Sequence, residues 1–244
     1  MSLKETLKKF IELTPYRVTR GAPNRFQAIQ VCLGHLRNLG YAPRVIVDGG
    51  AHLGSFALEA SAVFPEAAIH MIDPQPACRA SLEALATAHG FSFHCCALAA
   101  ASGTVAMICS SVPDTGAHLG GVPASPSEIS VEVKAVSLDS LFAATSVATD
   151  RILLKLDLEG HEFQALRGAS RLLALVEVVL VEVSFFHQLD NATIPQLVGF
   201  LDGHGFDLFD IAALNSRARD NRLRQGDFVF VRRGSPISAD TAWG

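Results

Sequence analysis

The sequence predicts an α/β protein, a doubly wound, mostly parallel sheet of seven strands preceded by a helical extension. From Arg44 onward, short apolar runs alternate with helical stretches, the pattern of parallel strands joined by crossover helices. The apolar runs are continuous rather than alternating, as in strands buried on both faces. A glycine cluster, Gly49, Gly50 and Gly54, directly follows the first run, where backbone must turn tightly against a ligand.

Taken in order, residues 3–13 read as an amphipathic helix with Leu3, Leu7, Phe10 and Ile11 on one stripe. Thr14-Pro15 ends it. A second helix runs from an Asn24 N-cap to Gly40, and the two make an extension over residues 1–43. The main domain is expected over 44–234, with a tail over 235–244. Its strands are expected at 44–48, 68–73, 91–96, 152–157, 178–184, 206–211 and 227–232. Helices are expected from Leu53 or Gly54, and at 77–89, 162–173 and 193–204. A weaker strand pair, 105–109 and 129–136, flanks a loop over 110–127 rich in Gly, Pro and Ser. A second long loop, 213–226, carries Arg217, Arg219, Arg222 and Arg224. Loops of such length in a small domain are lids or binding loops, or else disorder and a solvated charge cluster.

Composition narrows the class. Of 244 residues, 49% are apolar and 18% charged, as in a packed domain. A net charge of −4 offers no overall attraction to nucleic acid or to an anionic membrane. The first residues lack the apolar core of a signal peptide, and no apolar run reaches the ~20 residues of a membrane span. Five cysteines, an odd number, without C-x-x-C spacing indicate reduced thiols and a cytoplasmic setting. Oligomeric state is not legible.

The first strand ends in Asp48, immediately before the glycines. A turn that binds pyrophosphate aims N–H groups at negative charge, which a carboxylate would repel. The glycines also fall as G-G-x-x-x-G rather than G-x-G-x-x-G, and there is no phosphate loop. A ligand cationic near the turn fits better. S-adenosylmethionine is such a ligand, although an ordinary Gly-rich turn is an alternative. Asp73, at the end of the second strand, can accept both hydroxyls of a ribose, or simply cap the next helix.

The second dense stretch is Leu153–Glu162, LLKLDLEGHE. Its strand ends in Asp157, Glu159, His161 and Glu162, at the edge where open α/β sheets bind ligands. Glu182 ends the next strand, and His187 follows. Charged groups rarely crowd a buried edge without a task. Each has a plainer role: Glu162 favours a helix N-terminus, and His161 serves equally as a structural histidine. Asp157 and Glu182 offer hard oxygen ligands to a divalent cation, but no third ligand stands at a diagnostic spacing, so no metal is assigned. H-E-x-x-H fails because position 165 is Ala, and a G-x-S-x-G elbow is absent.

In order, Asp48-Gly-Gly-Ala-His-Leu-Gly54, Ile72-Asp-Pro-Gln-Pro76, Val136-Ser-Leu-Asp-Ser-Leu141, Leu154-Lys-Leu-Asp-Leu-Glu-Gly-His-Glu162 and Leu166-Arg-Gly-Ala169 resemble the FkbM-type methyltransferases. The resemblance runs from about Arg44 to Arg232. It implies a class I methyltransferase fold and transfer of methyl from S-adenosylmethionine to a hydroxyl of a sugar, glycoside or natural product. S-adenosylhomocysteine would be the other product. It implies cofactor contacts from Asp48, Gly49, Gly50, Ala51, His52, Gly54 and Ser55, and from Asp73, Pro74, Ala97 and Asp157. Three positions depart from the family pattern, which has Val at position 49, Asn at position 52 and more often Glu at position 73.

A hydroxyl acceptor gains from losing its proton as it attacks, so a general base is expected. His161 and Glu159 are the candidates, with Asp157 and Glu182 behind them. The four arginines suit an acceptor that carries phosphate or carboxylate. The rival functions are a nicotinamide-dependent oxidoreductase and a binding protein that kept the cofactor fold without the chemistry.

Overall fold

A computed structural model describes residues 29–121, 123, 125–143, 151–186 and 192–240. The helix expected over 3–13, the Asn24 cap, His187 and the end of the tail lie outside these residues.

The elements run α1 (Ile29–Asn38), β1 (Val45–Gly49), α2 (Ser55–Val63), β2 (Ala68–Ile72), α3 (Pro76–His89), β3 (Ser92–His94), β4 (Ala97–Leu98) and β5 (Gly103–Cys109). Then come β6 (His118–Leu119), β7 (Ile129–Val136), α4 (Leu138–Leu141), β8 (Ile152–Leu156), α5 (Glu162–Arg167) and β9 (Val176–Ser184). The chain closes with α6 (Ile194–Gly203), β10 (Phe206–Ser216) and β11 (Leu223–Arg232).

Seven strands form one sheet in the order β10-β11-β9-β8-β1-β2-β3. All neighbours from β3 to β9 pair parallel, and only β11 runs against the rest. This is the doubly wound sheet that the apolar runs predict. β1 and β8 lie at its centre, where the order reverses, and their C-terminal ends open the crevice in which such folds bind ligands. Both are apolar because both faces are covered. One face packs a core around Val47, Leu154, Leu156, Val181 and Leu166, the other a core around Ile46, Leu153, Met71 and Ala57.

The structure corrects several sequence expectations. The strand expected over 91–96 ends at His94. The chain then bends, with the Cys96 N–H donating to the His94 carbonyl, and β4 joins a second sheet in the order β4-β7-β5-β6. The weak strand pair therefore belongs to a layer of its own.

The helix expected over 162–173 stops at Arg167. A Cβ at Gly168 would collide with the Ala99 carbonyl, so only glycine lets the helix end press against the β4 corner. Asp139 then accepts the N–H groups of Arg171 and Leu172, which starts a short 3₁₀ turn. The signature residues Asp139 and Gly168 are thus packing devices.

The largest correction concerns 213–226. It is the far half of an eleven-residue strand and a ten-residue strand paired as a hairpin, not a loop. The hairpin tip runs past the core into solvent, so its residues are polar and carry no strand pattern.

Candidate active site

The turn after β1 is clamped by its neighbour. Asp48 and Lys155 are register partners across β1 and β8. The Lys155 ammonium lies 3.1 Å from Asp48 Oδ1 and donates to the carbonyls of Gly49 and Gly50. Burial pulls the Lys155 pKa down, but Asp48 and Asp157 hold it above its ordinary value. The charge of Asp48 is therefore answered inside the protein, and Asp48 does not line the cavity beyond. Lys155 went unweighed in the sequence, although it is a lone cation in an apolar run.

Gly50 carries the turn across to β8. Its φ is +77°, and a Cβ there would collide with the Asp157 carbonyl. His52 follows with φ +49°, a conformation that Asn tolerates better than His. The His52 N–H donates to Asp73 Oδ2 at 2.8 Å, and the Gln75 N–H donates to Asp73 Oδ1 at 2.8 Å. Each carboxylate oxygen keeps an acceptor site. Burial pushes the Asp73 pKa up, and these two amides pull it back.

A cavity of about 550 Å³ opens beyond the turn, within the range that takes small molecules. Gly50, Ala51, His52, Ser55, Asp73, Pro74, Ala97, Asp157 and Glu159 line it. Gly49, Gly54, His161 and Glu182 do not. The loop after β5 closes one side through Asp114 to Leu119, its Asp114 N–H donating to Gln75 Oε1. Part of the long 110–127 loop is thus a cavity wall. The sequence signalled its length but not Asp114, His118 or Gln75 as wall residues.

The residues present fit S-adenosylmethionine. His52 Nε2 is buried without a hydrogen-bond partner beside the glycine turn. Asp73 presents a carboxylate with free acceptor sites, and Ala97 and Leu98 line the same cavity.

Carboxylates gather at the other end. Asp157, Glu159 and Glu182 have oxygen atoms within 4.8 Å of one another. Glu159 reaches the group because its backbone turns back at φ +49°. Glu162, buried at the head of α5, accepts the N–H groups of Leu158 and Gly160 and so holds that loop. Burial lifts its pKa to about 7. Asp227, opposite Glu182 across β9 and β11, also lines the cavity. Burial, then Asp157 and Glu159, push Glu182 up to about 9, and burial with Asp157 lifts Asp227 to about 6. Burial also raises Glu159 and lowers His161. Asp227 was missed in the sequence because only pairing with β9 brings it here.

The arginines divide. Arg217 pairs with Asp220, and Arg219 lies 3.8 Å from the same carboxylate. Arg217 and Arg222 both cover the Phe186 ring. No helix among the described residues is long and apolar enough to cross a membrane.

Residues 48–208 match the family described as the methyltransferase FkbM domain. No curated protein matches the chain significantly. Among solved structures, a FkbM methyltransferase from Methylobacillus flagellatus KT is 15% identical with a TM-score of 0.47, over 77% of this chain and 43% of that one. This chain thus spans less than half of that relative. A 1,6-didemethyltoxoflavin-N1-methyltransferase from Burkholderia thailandensis is 13% identical with a TM-score of 0.45, over 85% and 79% of the two chains. The family match spans well over half of the sequence, and by it this chain belongs to the FkbM methyltransferases, S-adenosylmethionine-dependent enzymes of the class I fold.

Proposed function

We propose that the protein methylates a hydroxyl of a small sugar, glycoside or natural-product acceptor, within a methyltransferase domain spanning residues 44–234. One observation carries the choice of a hydroxyl: carboxylates, Asp157 and Glu159, line the cavity at the end away from Asp73. A neutral hydroxyl needs a base as it attacks, whereas a thiolate or a free amine at neutral pH needs less help.

Asp73 would take the ribose hydroxyls, and His52 with the backbone of Gly50 and Ala51 the methionine end. When bound, S-adenosylmethionine supplies a methyl carbon on a sulfonium whose sulfur leaves as a neutral thioether, so no acid is needed on that side. Glu159 accepts the proton of the acceptor oxygen. Its place on the cavity wall favours it over His161, which lies off that wall, and burial raises its affinity for a proton. The buried turn and closing loop exclude water and hold the two reactants together, the source of much of the rate.

The acceptor also carries an anionic group on this reading. Arg222 and Arg224 have no carboxylate within ion-pair distance among the described residues, and Arg224 lies close enough to Glu159 to lower its pKa.

Hydroxylated sugars, glycosides and polyketides, with and without phosphate or carboxylate, should be incubated with radiolabelled methyl donor. Label is expected on an acceptor hydroxyl. Transfer only to amines or thiols would overturn the proposal. Equal rates for neutral and anionic acceptors would remove the arginine role.

A further inference from the structure

The carboxylate group is more than a base needs. Asp157, Glu159 and Glu182 each bring an oxygen within 4.8 Å of the others. Opposite ligands of a cation held at ~2.1 Å, as for Mg²⁺, or ~2.4 Å, as for Ca²⁺, lie about 4.2–4.8 Å apart. The three oxygens therefore lie close enough together to share one coordination sphere.

Asp227 supplies a second, separate observation. It is 9% exposed, and its carboxylate makes no hydrogen bond or ion pair among the described residues. Because Asp227 is the register partner of Glu182, the two side chains stand on the same face. It lines the cavity together with Asp157 and Glu159. A buried carboxylate with no hydrogen-bond partner is costly, and the attraction of Lys155 offsets that cost only in part.

Arg224 acts on Glu159 without forming an ion pair, and the nearest ammonium, that of Lys155, is committed mainly to β1. Lys155 lies 3.8 Å from Asp157 Oδ2 but 3.1 Å from Asp48, and it donates to two carbonyls. Glu182 Oε1 accepts from the Gln225 amide, which leaves Oε2 free.

We propose that Asp157, Glu159 and Glu182 bind a hard divalent cation of the Mg²⁺, Mn²⁺ or Ca²⁺ kind, with Asp227 behind them completing the charge. An all-oxygen set selects this class over Zn²⁺ or Cu²⁺. Burial together with the crowding of these carboxylates raises the pKa values of Glu182 and Asp227. The function of the cation rests on the methyl-transfer proposal above. It holds the acceptor oxygen and acidifies its O–H, and the proton passes to the second oxygen of Glu159.

The test uses Mn²⁺ alone, added to the full chain and followed by electron paramagnetic resonance and calorimetry, with and without S-adenosylhomocysteine. A single Mn²⁺ per chain is expected. Its affinity should weaken about 10–100-fold in Asp227→Asn and in Glu159→Gln, each checked by thermal melting. No Mn²⁺ binding to the unaltered chain, or full affinity retained in both variants, would overturn the proposal. Because the readout is metal binding, the two proposals fail separately. Methyl transfer that survives chelators in a chain binding no Mn²⁺ removes the cation and keeps the reaction. Tight Mn²⁺ binding with no hydroxyl methylated supports the cation site and removes the reaction.

Discussion

Lys155 Nζ lies 3.1 Å from Asp48 Oδ1, so the central strand β8 holds the glycine turn of β1 by a buried ion pair. Losing one partner leaves the other charge uncompensated. Lys155→Met is expected to cost about 3–5 kcal/mol of unfolding free energy by urea denaturation. The double variant Asp48→Asn/Lys155→Met should recover part of that loss. A single variant as stable as the parent would contradict the clamp.

Gly50→Ala should distort the glycine turn after β1. Ala at φ +77° is strained by about 1–3 kcal/mol, and its Cβ meets the Asp157 carbonyl. Affinity for S-adenosylhomocysteine, measured by calorimetry, should fall at least about tenfold, or ~1.4 kcal/mol. Unchanged affinity would show that the turn does not hold the cofactor.

Asp73 is expected to separate charge from shape. Asp73→Asn keeps an acceptor for the His52 amide but loses the charged acceptor for hydroxyls. S-adenosylhomocysteine should bind about tenfold more weakly to it, while Asp73→Glu stays within a few-fold of the parent. If Asp73→Asn binds as well as the parent, the ribose assignment fails.

Glu159→Gln should lower turnover about 10²–10⁴-fold with cofactor affinity retained. His161→Ala should stay within a few-fold, because His161 lies off the cavity wall. Single-turnover rates would distinguish them, and the reverse pattern would make His161 the base.

His70 and His94 form a stacked pair away from the carboxylates, Nδ1 to Nε2 at 3.1 Å, with the Phe142 ring edge-on. Burial lowers both pKa values, and for His70 the neighbouring His94 adds to this. The folded protein thus binds fewer protons here than the unfolded chain below the ordinary histidine value near 6.5. Their contribution is complete above that pH and is lost as pH falls through the window beneath it. Melting temperature should drop between pH 7.5 and 5, and less steeply in His70→Phe. Parallel profiles would rule the pair out as the cause.

The sheet was legible because strands buried on both faces must be apolar and their connections helical. The extent of the last two strands was not, since the hairpin tip lies in solvent and needs no apolar pattern. Asp73, Asp157 and Glu159 stood out as acids at strand ends. Glu162 stood out equally, yet the structure gives it the backbone of the 158–160 loop, a hydrogen-bond role that composition cannot distinguish from a chemical one.

From its sequence alone, this protein had its family resemblance, the positions of most of its strands and its glycine turn determined, because these follow from local pattern and spacing. Tertiary structure decided what each charge faces. Asp48 turns to Lys155, 107 positions away, by register across two parallel strands. Glu182 meets Asp227 by the one antiparallel strand of the sheet. A carboxylate's role depends on the charge and solvent within a few ångströms, and pairing between distant strands sets that neighbourhood.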